Sequence, residues 1–169
     1  MKKTAIIFGS TTGNAETVAE KIAEKLINND VTLIEVSKLK STDFDDYQNL
    51  ILGTSTWGLG DLQDDWDGKL SVLENSNLNG KTIAFFGTGD SSSYPDTFVD
   101  GMGILYETVS GKGANLVGQF PADGYSYDAS RAEIDGHFAG VAIDEDNESN
   151  LTDERLDQWI ASFKSILND

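Results

Sequence analysis

The sequence contains no cysteine. Disulfides are thereby excluded, as are thiolate metal centres and iron–sulfur clusters, so any redox chemistry must come from a bound organic cofactor. It contains no run of about 18 apolar residues, and no transmembrane helix is expected. It is also short of bases. Twelve Lys and Arg stand against 29 Asp and Glu, a formal net charge of −17 over 169 residues. Nucleic acid is a poor partner for such a chain, because phosphate backbones are bound by Lys and Arg. Basic protein faces are well matched to it. The imbalance is concentrated: residues 41–111 hold twelve acids and two bases, Lys69 and Lys81. Met1-Lys2-Lys3-Thr4 leads directly into an apolar run. That leaves no room for a signal peptide, and a cytoplasmic location is expected.

What the chain does have is an alternation of strand and helix patterns, within a length that suits one domain. Residues 4–8, 31–36, 47–54, 81–87 and 114–118 are short apolar runs of the kind buried in a parallel sheet. Between them, Ala15 to Ile27, Asp64 to Glu74 and Phe98 to Gly111 carry apolar residues at helical spacing. The segment 119–140 breaks the pattern: it is polar and aromatic and reads as an excursion from the last strand, which resumes at Val141-Ala142-Ile143. Thr152 is expected to cap a final helix whose buried face includes Leu156, Trp159, Ile160 and Phe163. Trp66 and Trp159 lie on apolar helix faces and are read as core. His137, the one histidine, falls in the excursion and is given no role. Five alternations of this kind predict an α/β doubly wound parallel sheet. Right-handed crossovers then gather the strand-to-helix loops at the carboxyl edge of the sheet, where such folds bind ligands.

Three of those loops carry chemistry. Gly9-Ser10-Thr11-Thr12-Gly13-Asn14-Ala15 joins the first strand to the first helix and has no charged side chain. A loop of this composition aims backbone N–H groups and a helix dipole at one spot, which makes a seat for a terminal monophosphate. The same residues would also serve an ordinary strand-to-helix turn with Thr12 as N-cap, and on this stretch alone both readings stand. The loops at 55–62 and 88–95 each present one large aromatic, Trp57 and Tyr94, and two aromatics on neighbouring loops can sandwich a flat ring. A phosphate seat and an aromatic sandwich together describe a site for FMN.

Ser10-Thr11-Thr12-Gly13-Asn14, Thr56-Trp57-Gly58, and Thr88-Gly89-Asp90 with Tyr94 four residues on, in that order along the chain, resemble the flavodoxins. The excursion at 119–140 resembles the insertion of the long-chain members, as does Leu151-Thr152-Asp153-Glu154-Arg155. The resemblance covers the whole chain as a single domain, 1–169. It implies a five-stranded sheet of order 2-1-3-4-5 with an insertion in the last strand. It implies non-covalent FMN: Ser10, Thr11, Thr12, Gly13, Asn14 and Ala15 around the phosphate, Trp57 and Tyr94 on the two ring faces, Thr56, Gly58, Leu59 and Gly60 along the ring edge, and Thr88, Gly89 and Asp90 at the pyrimidine. Asp146 is similar to a residue near the ribityl chain. Where the family loop commonly closes with threonine this chain has Ala15, one hydroxyl donor fewer, a loss worth about 1.5–3 kcal/mol.

The function implied is that of a low-potential one-electron carrier, not an enzyme, moving between the semiquinone and hydroquinone. Its implied partners are redox proteins with basic docking faces: a ferredoxin-NADP-type reductase, pyruvate:flavodoxin oxidoreductase, nitrogenase or a photosystem. A monomer is expected. Gly58 is expected to let the following peptide flip toward N5 of the reduced ring. Asp61, Asp64, Asp65 and Asp67 are expected to disfavour the reduced anion and to form a docking rim. Two rivals share the architecture. An FMN-dependent NAD(P)H:quinone reductase needs open space over the flavin, which the two aromatics would fill. A phosphoacceptor receiver domain needs acids after the first and third strands, where this chain has Gly9-Ser10 and Ser55-Thr56.

Overall fold

Strand β1 (Lys3–Gly9) is buried at every position after its first, having a strand on either side and helices over both faces. In the computed structural model, which describes residues 2–168, there follow α1 (Asn14–Lys25), β2 (Asp30–Glu35), β3 (Asn49–Trp57), β4 (Asp61–Leu62), α2 (Asp64–Glu74), β5 (Thr82–Thr88) and α3 (Asp100–Val109). The remainder is built from β6 (Asn115–Leu116), β7 (Phe120–Pro121), β8 (Glu133–Ile134), β9 (His137–Phe138), β10 (Val141–Ile143), α4 (Glu145–Glu148) and α5 (Thr152–Phe163).

The principal sheet is parallel, with β2, β1, β3 and β5 side by side in that order. The fifth position is divided between two short strands. β6 pairs with the start of β5 through Thr82 and Ile83, and β10 pairs with its end through Phe86, Gly87 and Thr88. The Val117 N–H still donates to the Ile83 carbonyl at 2.9 Å before the chain leaves the ladder. Residues 119–140 therefore interrupt the last strand, and they carry a small antiparallel sheet of their own, β7-β9-β8.

Side chains of successive strand residues point to opposite faces, and two cores result. Ala5, Ile7, Leu50, Leu52, Ile83 and Phe85 pack with Trp66 and Leu73 of α2 and Met102 and Leu105 of α3. Ile6, Phe8, Ile51, Ala84 and Phe86 pack with Val18 and Ile22 of α1 and Leu156, Trp159 and Phe163 of α5. Trp66 and Trp159 are both fully buried, as their helical spacing predicts.

Two helix starts, those of α3 and α5, differ from expectation, and the alternative of a Thr12 cap on α1 is not realised. Thr12 does not cap α1; Gly13, at φ 100°, holds that position without a side-chain bond. Thr152 is already the first residue of α5, because the 3-10 turn Ser149–Leu151 runs straight into the helix. Its hydroxyl bonds to Glu145 instead, at 2.9 Å. The third helix begins at Asp100 rather than Phe98, because buried Val99 takes a left-handed φ of 48°. That conformation is costly for a β-branched residue.

Candidate functional site

The carboxyl ends of β1, β3, β5 and β10 open on one cleft of about 420 Å³. Thr12, Asn14, Thr56, Trp57, Gly58, Thr88, Gly89, Asp90, Tyr94 and Asp146 line it together with Ser55. Six further candidates lie around it. The Ser10 hydroxyl accepts the Gly13 N–H at 3.1 Å and closes the first loop on itself. The Thr11 hydroxyl is held from below by Gln63 at 3.2 Å. Ala15 is fully buried with Ile6, Phe8 and Val18. Leu59 is 85% exposed at the tip of its turn, and Gly60 borders a separate acidic depression with Asp61, Asp64 and Asp67.

The first loop leads directly into α1, whose first helical bond runs from the Thr17 N–H to the Gly13 carbonyl. The N–H groups ahead of that bond have no carbonyl partner inside the helix. With the positive end of the helix dipole they form a neutral, donor-rich seat suited to an anion.

The second loop is a hairpin. Thr56 and Trp57 of β3 pair with Leu62 and Asp61 of β4, and the Gly60 N–H closes the turn onto the Trp57 carbonyl at 3.2 Å. Gly58 stands at φ 51° in this turn, a region that favours glycine. The Trp57 indole N–H donates to the Ser55 hydroxyl at 3.0 Å. The Gly101 N–H, in the first turn of α3, donates to the Thr56 hydroxyl at 2.9 Å. Both bonds brace the hairpin, and Trp57 remains 38% exposed at the cleft wall.

The third loop is organised by carboxylates. Asp90 accepts the N–H groups of Ser92 and Ser93 at 3.1 and 3.0 Å and the side-chain amide of Asn147 at 2.8 Å. These bonds, the Asn147 amide foremost, hold its carboxyl below the usual range. Tyr94, 44% exposed, follows on a turn closed by its own N–H to the Asp90 carbonyl at 2.9 Å. Asp144, almost fully buried, accepts the N–H and hydroxyl of Ser91 and caps α4 by accepting the Asn147 N–H. Asp146 is pushed up by partial loss of solvent and by the charges of Asp90, Asp144 and Glu145. The carboxylates of Asp90, Asp144 and Asp146 come within 4.8 Å of one another, and the Asn147 side-chain amide bridges Asp90 and Asp144.

Ser55, Gln63, Asp144 and Asn147 were not singled out from sequence. Ser55 had a signal, being adjacent to Thr56 in a loop already implicated. Asp144 and Asn147 sit in what reads as a solvated acidic turn, and Gln63 in what reads as the acidic start of a helix.

Comparison with known proteins converges on one family. The model of the family described as Flavodoxin matches residues 6–159. The flavodoxin of Nostoc sp. (strain PCC 7120 / SAG 25.82 / UTEX 2576) is 47% identical over 164 residues, covering 97% of this chain and 96% of the relative. That of Helicobacter pylori is 43% identical over 164 residues, covering 97% and 98%. The crystal structure of Fusobacterium nucleatum flavodoxin bound to flavin mononucleotide superposes with a TM-score of 0.93 at 30% identity, covering 99% of each chain.

Proposed function

The chain belongs to the flavodoxin family, and from that premise we propose that it binds one FMN non-covalently in the cleft and carries single electrons at low potential between redox proteins. The observation that carries this reading is the meeting of a neutral, donor-rich helix start with two half-exposed aromatics, Trp57 and Tyr94, on the walls of one cleft. A nucleotide-sized anion with a flat ring fits that donor set. An anion alone would not need the aromatics, and a ring alone would not need the helix start.

In this reading the backbone N–H groups of Ser10 to Ala15 would hold the phosphate, and no Lys or Arg stands in the loop to offset negative charge. Asp146 would lie near the ribityl chain, and Thr88, Gly89 and Asp90 would meet the pyrimidine edge. Trp57 and Tyr94 cover the ring faces. When bound, FMN supplies the one-electron chemistry. The protein's part is to exclude water from the ring, to present the Gly58–Leu59 peptide to the ring edge, and to surround the site with negative charge. The turn at Gly58 has the backbone freedom to turn that carbonyl toward a ring N–H. The exposed acids Asp61, Asp64 and Asp67 act weakly one by one. Their summed field opposes a further negative charge on the ring and attracts basic partners. The partners are then reductases and oxidoreductases with basic faces, of the ferredoxin-NADP-reductase, pyruvate:flavodoxin oxidoreductase, nitrogenase or photosystem kind. The protein acts as a cytoplasmic monomer; among the described residues no helix is long and apolar enough to cross a membrane.

Titration of the apoprotein with FMN tests the reading. One equivalent is expected to bind with quenching of both flavin and tryptophan fluorescence. An apoprotein that leaves FMN fluorescence unchanged would sink it.

A further inference from the structure

The short helix α4 concentrates negative charge beside the cleft. With its N-cap it holds Asp144, Glu145, Asp146 and Glu148, and Asp90 stands against it, bonded to the Asn147 amide. Like charges this close repel one another. The helix divides them between two sides. Asp146 and Asn147 are exposed, and Asp146 lines the cleft. Glu145 and Glu148, three positions apart and so on one face, are half-buried and meet the first turn of α5. There the Thr152 hydroxyl donates to Glu145 at 2.9 Å, and the Arg155 guanidinium donates to Glu148 at 3.1 Å. Among the described residues Arg155 is the one base within ion-pair distance of any of these acids. Arg155 is itself 7% exposed. Its guanidinium lies 3.9 Å over the Tyr125 ring and also donates to the Gly124 carbonyl at 3.2 Å. The Tyr125 hydroxyl in turn donates to the Ala142 carbonyl of β10 at 2.6 Å. A buried charge is costly unless it is paired, and this one is fixed by Tyr125 on one side and by α4 on the other.

We propose that Arg155 is a positioning residue for the cleft: its charge holds the acidic helix α4 in place, and through α4 the side chains of Asp146 and Asn147. The inference rests on the FMN reading of the cleft, in which Asp146 lies near the ribityl chain. Without that charge Glu148 loses its partner, and the acids of α4 and Asp90 are left to repel one another. The helix then moves away from the cleft wall. Asp146 leaves its place beside the ribityl chain, and Asp90 loses the Asn147 brace.

Two variants at this position separate charge from bulk. Arg155→Met keeps an apolar stem over Tyr125 and removes the charge; Arg155→Lys keeps the charge. Each apoprotein is titrated with FMN and with riboflavin, which has the ring and the ribityl chain but no phosphate, and binding is read from flavin fluorescence. Arg155→Met is expected to bind both ligands about tenfold more weakly, the weight of a hydrogen bond to a charged group, and Arg155→Lys to stay within about threefold of the unaltered chain. The riboflavin loss in Arg155→Met is expected to shrink as salt rises from about 0.05 M to about 1 M, because salt screens the acids from one another. The proposal is overturned if Arg155→Met binds riboflavin as tightly as the unaltered chain, or if salt leaves its loss unchanged. It is overturned if Arg155→Lys loses as much as Arg155→Met, the result that a packing role predicts. It is overturned also if FMN weakens and riboflavin does not, the result of a distant charge acting on the phosphate alone. Should Arg155→Met not fold, Glu148→Gln, at a side chain 30% exposed, carries the test from the other end of the pair. Riboflavin is then expected to bind several-fold more weakly, and unchanged binding overturns the proposal. An unaltered chain that binds neither ligand would overturn the reading of the cleft instead.

Discussion

The buried carboxylate of Asp144 accepts both polar hydrogens that Ser91 can offer, the backbone N–H at 3.1 Å and the hydroxyl at 2.6 Å. The end of β10 is thereby pinned to the loop that carries Tyr94. The Gly89 N–H to the Ile143 carbonyl, at 3.1 Å, reinforces the join. Asp144→Ala leaves the buried Ser91 donors without their acceptor and removes the cap of α4. The apoprotein is expected to lose about 2–3 kcal/mol of stability in urea unfolding. FMN affinity is expected to fall as well, because Tyr94 is no longer held at the cleft wall.

Asp146 contributes the opposite sign. Its carboxyl is raised in the folded protein from an ordinary value of 3.8. Between that value and its folded one the native state binds more protons than the unfolded state, so stability falls as pH rises. Asp146→Asn is therefore expected to raise the thermal midpoint of the apoprotein at pH 7, with the gain disappearing below about pH 4. Asp90, whose carboxyl is lowered, behaves in reverse: its stabilising contribution is present above about pH 4 and is lost as pH falls through its folded value. Midpoints measured across pH 3 to 8 for Asp146→Asn and Asp90→Asn check both signs.

Gly58 stands at φ 51°, with an added Cβ 3.3 Å from the Asp61 carboxylate. Gly58→Val places a β-branched residue in the left-handed region and is expected to cost about 1–2 kcal/mol. The larger effect is expected in redox behaviour. A stiffened turn cannot reorient its carbonyl toward the ring, so a stepwise reductive titration should accumulate less half-reduced flavin. An unchanged yield would separate the turn from the chemistry.

Ala15 lies at the end of the anion loop and, as the second residue of α1, in the core with Ile6 and Phe8. Ala15→Thr adds a hydroxyl that can reach the phosphate and a methyl that must find room among buried side chains. FMN is expected to bind about tenfold more tightly, riboflavin with unchanged affinity. The fold is expected to lose about 1 kcal/mol or more from the added volume. Parallel titrations with FMN and riboflavin, alongside urea unfolding, distinguish these effects.

The features legible in sequence were those written locally. The apolar run 4–8 and the glycine-bearing, uncharged loop after it announce β1 and the start of α1 without any distant partner. Trp57 and Tyr94 stand out because each is a large aromatic in an otherwise polar loop. The order of the sheet is not local and is carried by the resemblance to a family, whereas the division of the fifth position between β6 and β10 is legible in the polar, aromatic break at 119–140 and the apolar run that resumes at Val141. The residues that brace the cleft were hidden for a physical reason. Gln63 reaches Thr11 across 52 residues, Ser91 reaches Asp144 across 53, and Asn147 reaches Asp90 across 57. A buried Asp bonded to a distant loop and a solvated Asp on a turn have the same neighbours in sequence. The caps failed likewise: Thr12 and Thr152 have the right chemistry, but the backbone placed Gly13 and Leu151 at the two boundaries.

Stepwise anaerobic reduction of the FMN-loaded protein, followed by its visible spectrum, tests whether the cleft tunes FMN for one-electron transfer. A yellow protein that passes through a blue, neutral half-reduced form in high yield is expected. Full reduction should require a much lower potential, one that rises as salt screens the acids around the site. Reduction straight from yellow to colourless in a single two-electron step, with no blue form at any salt concentration, would contradict that tuning.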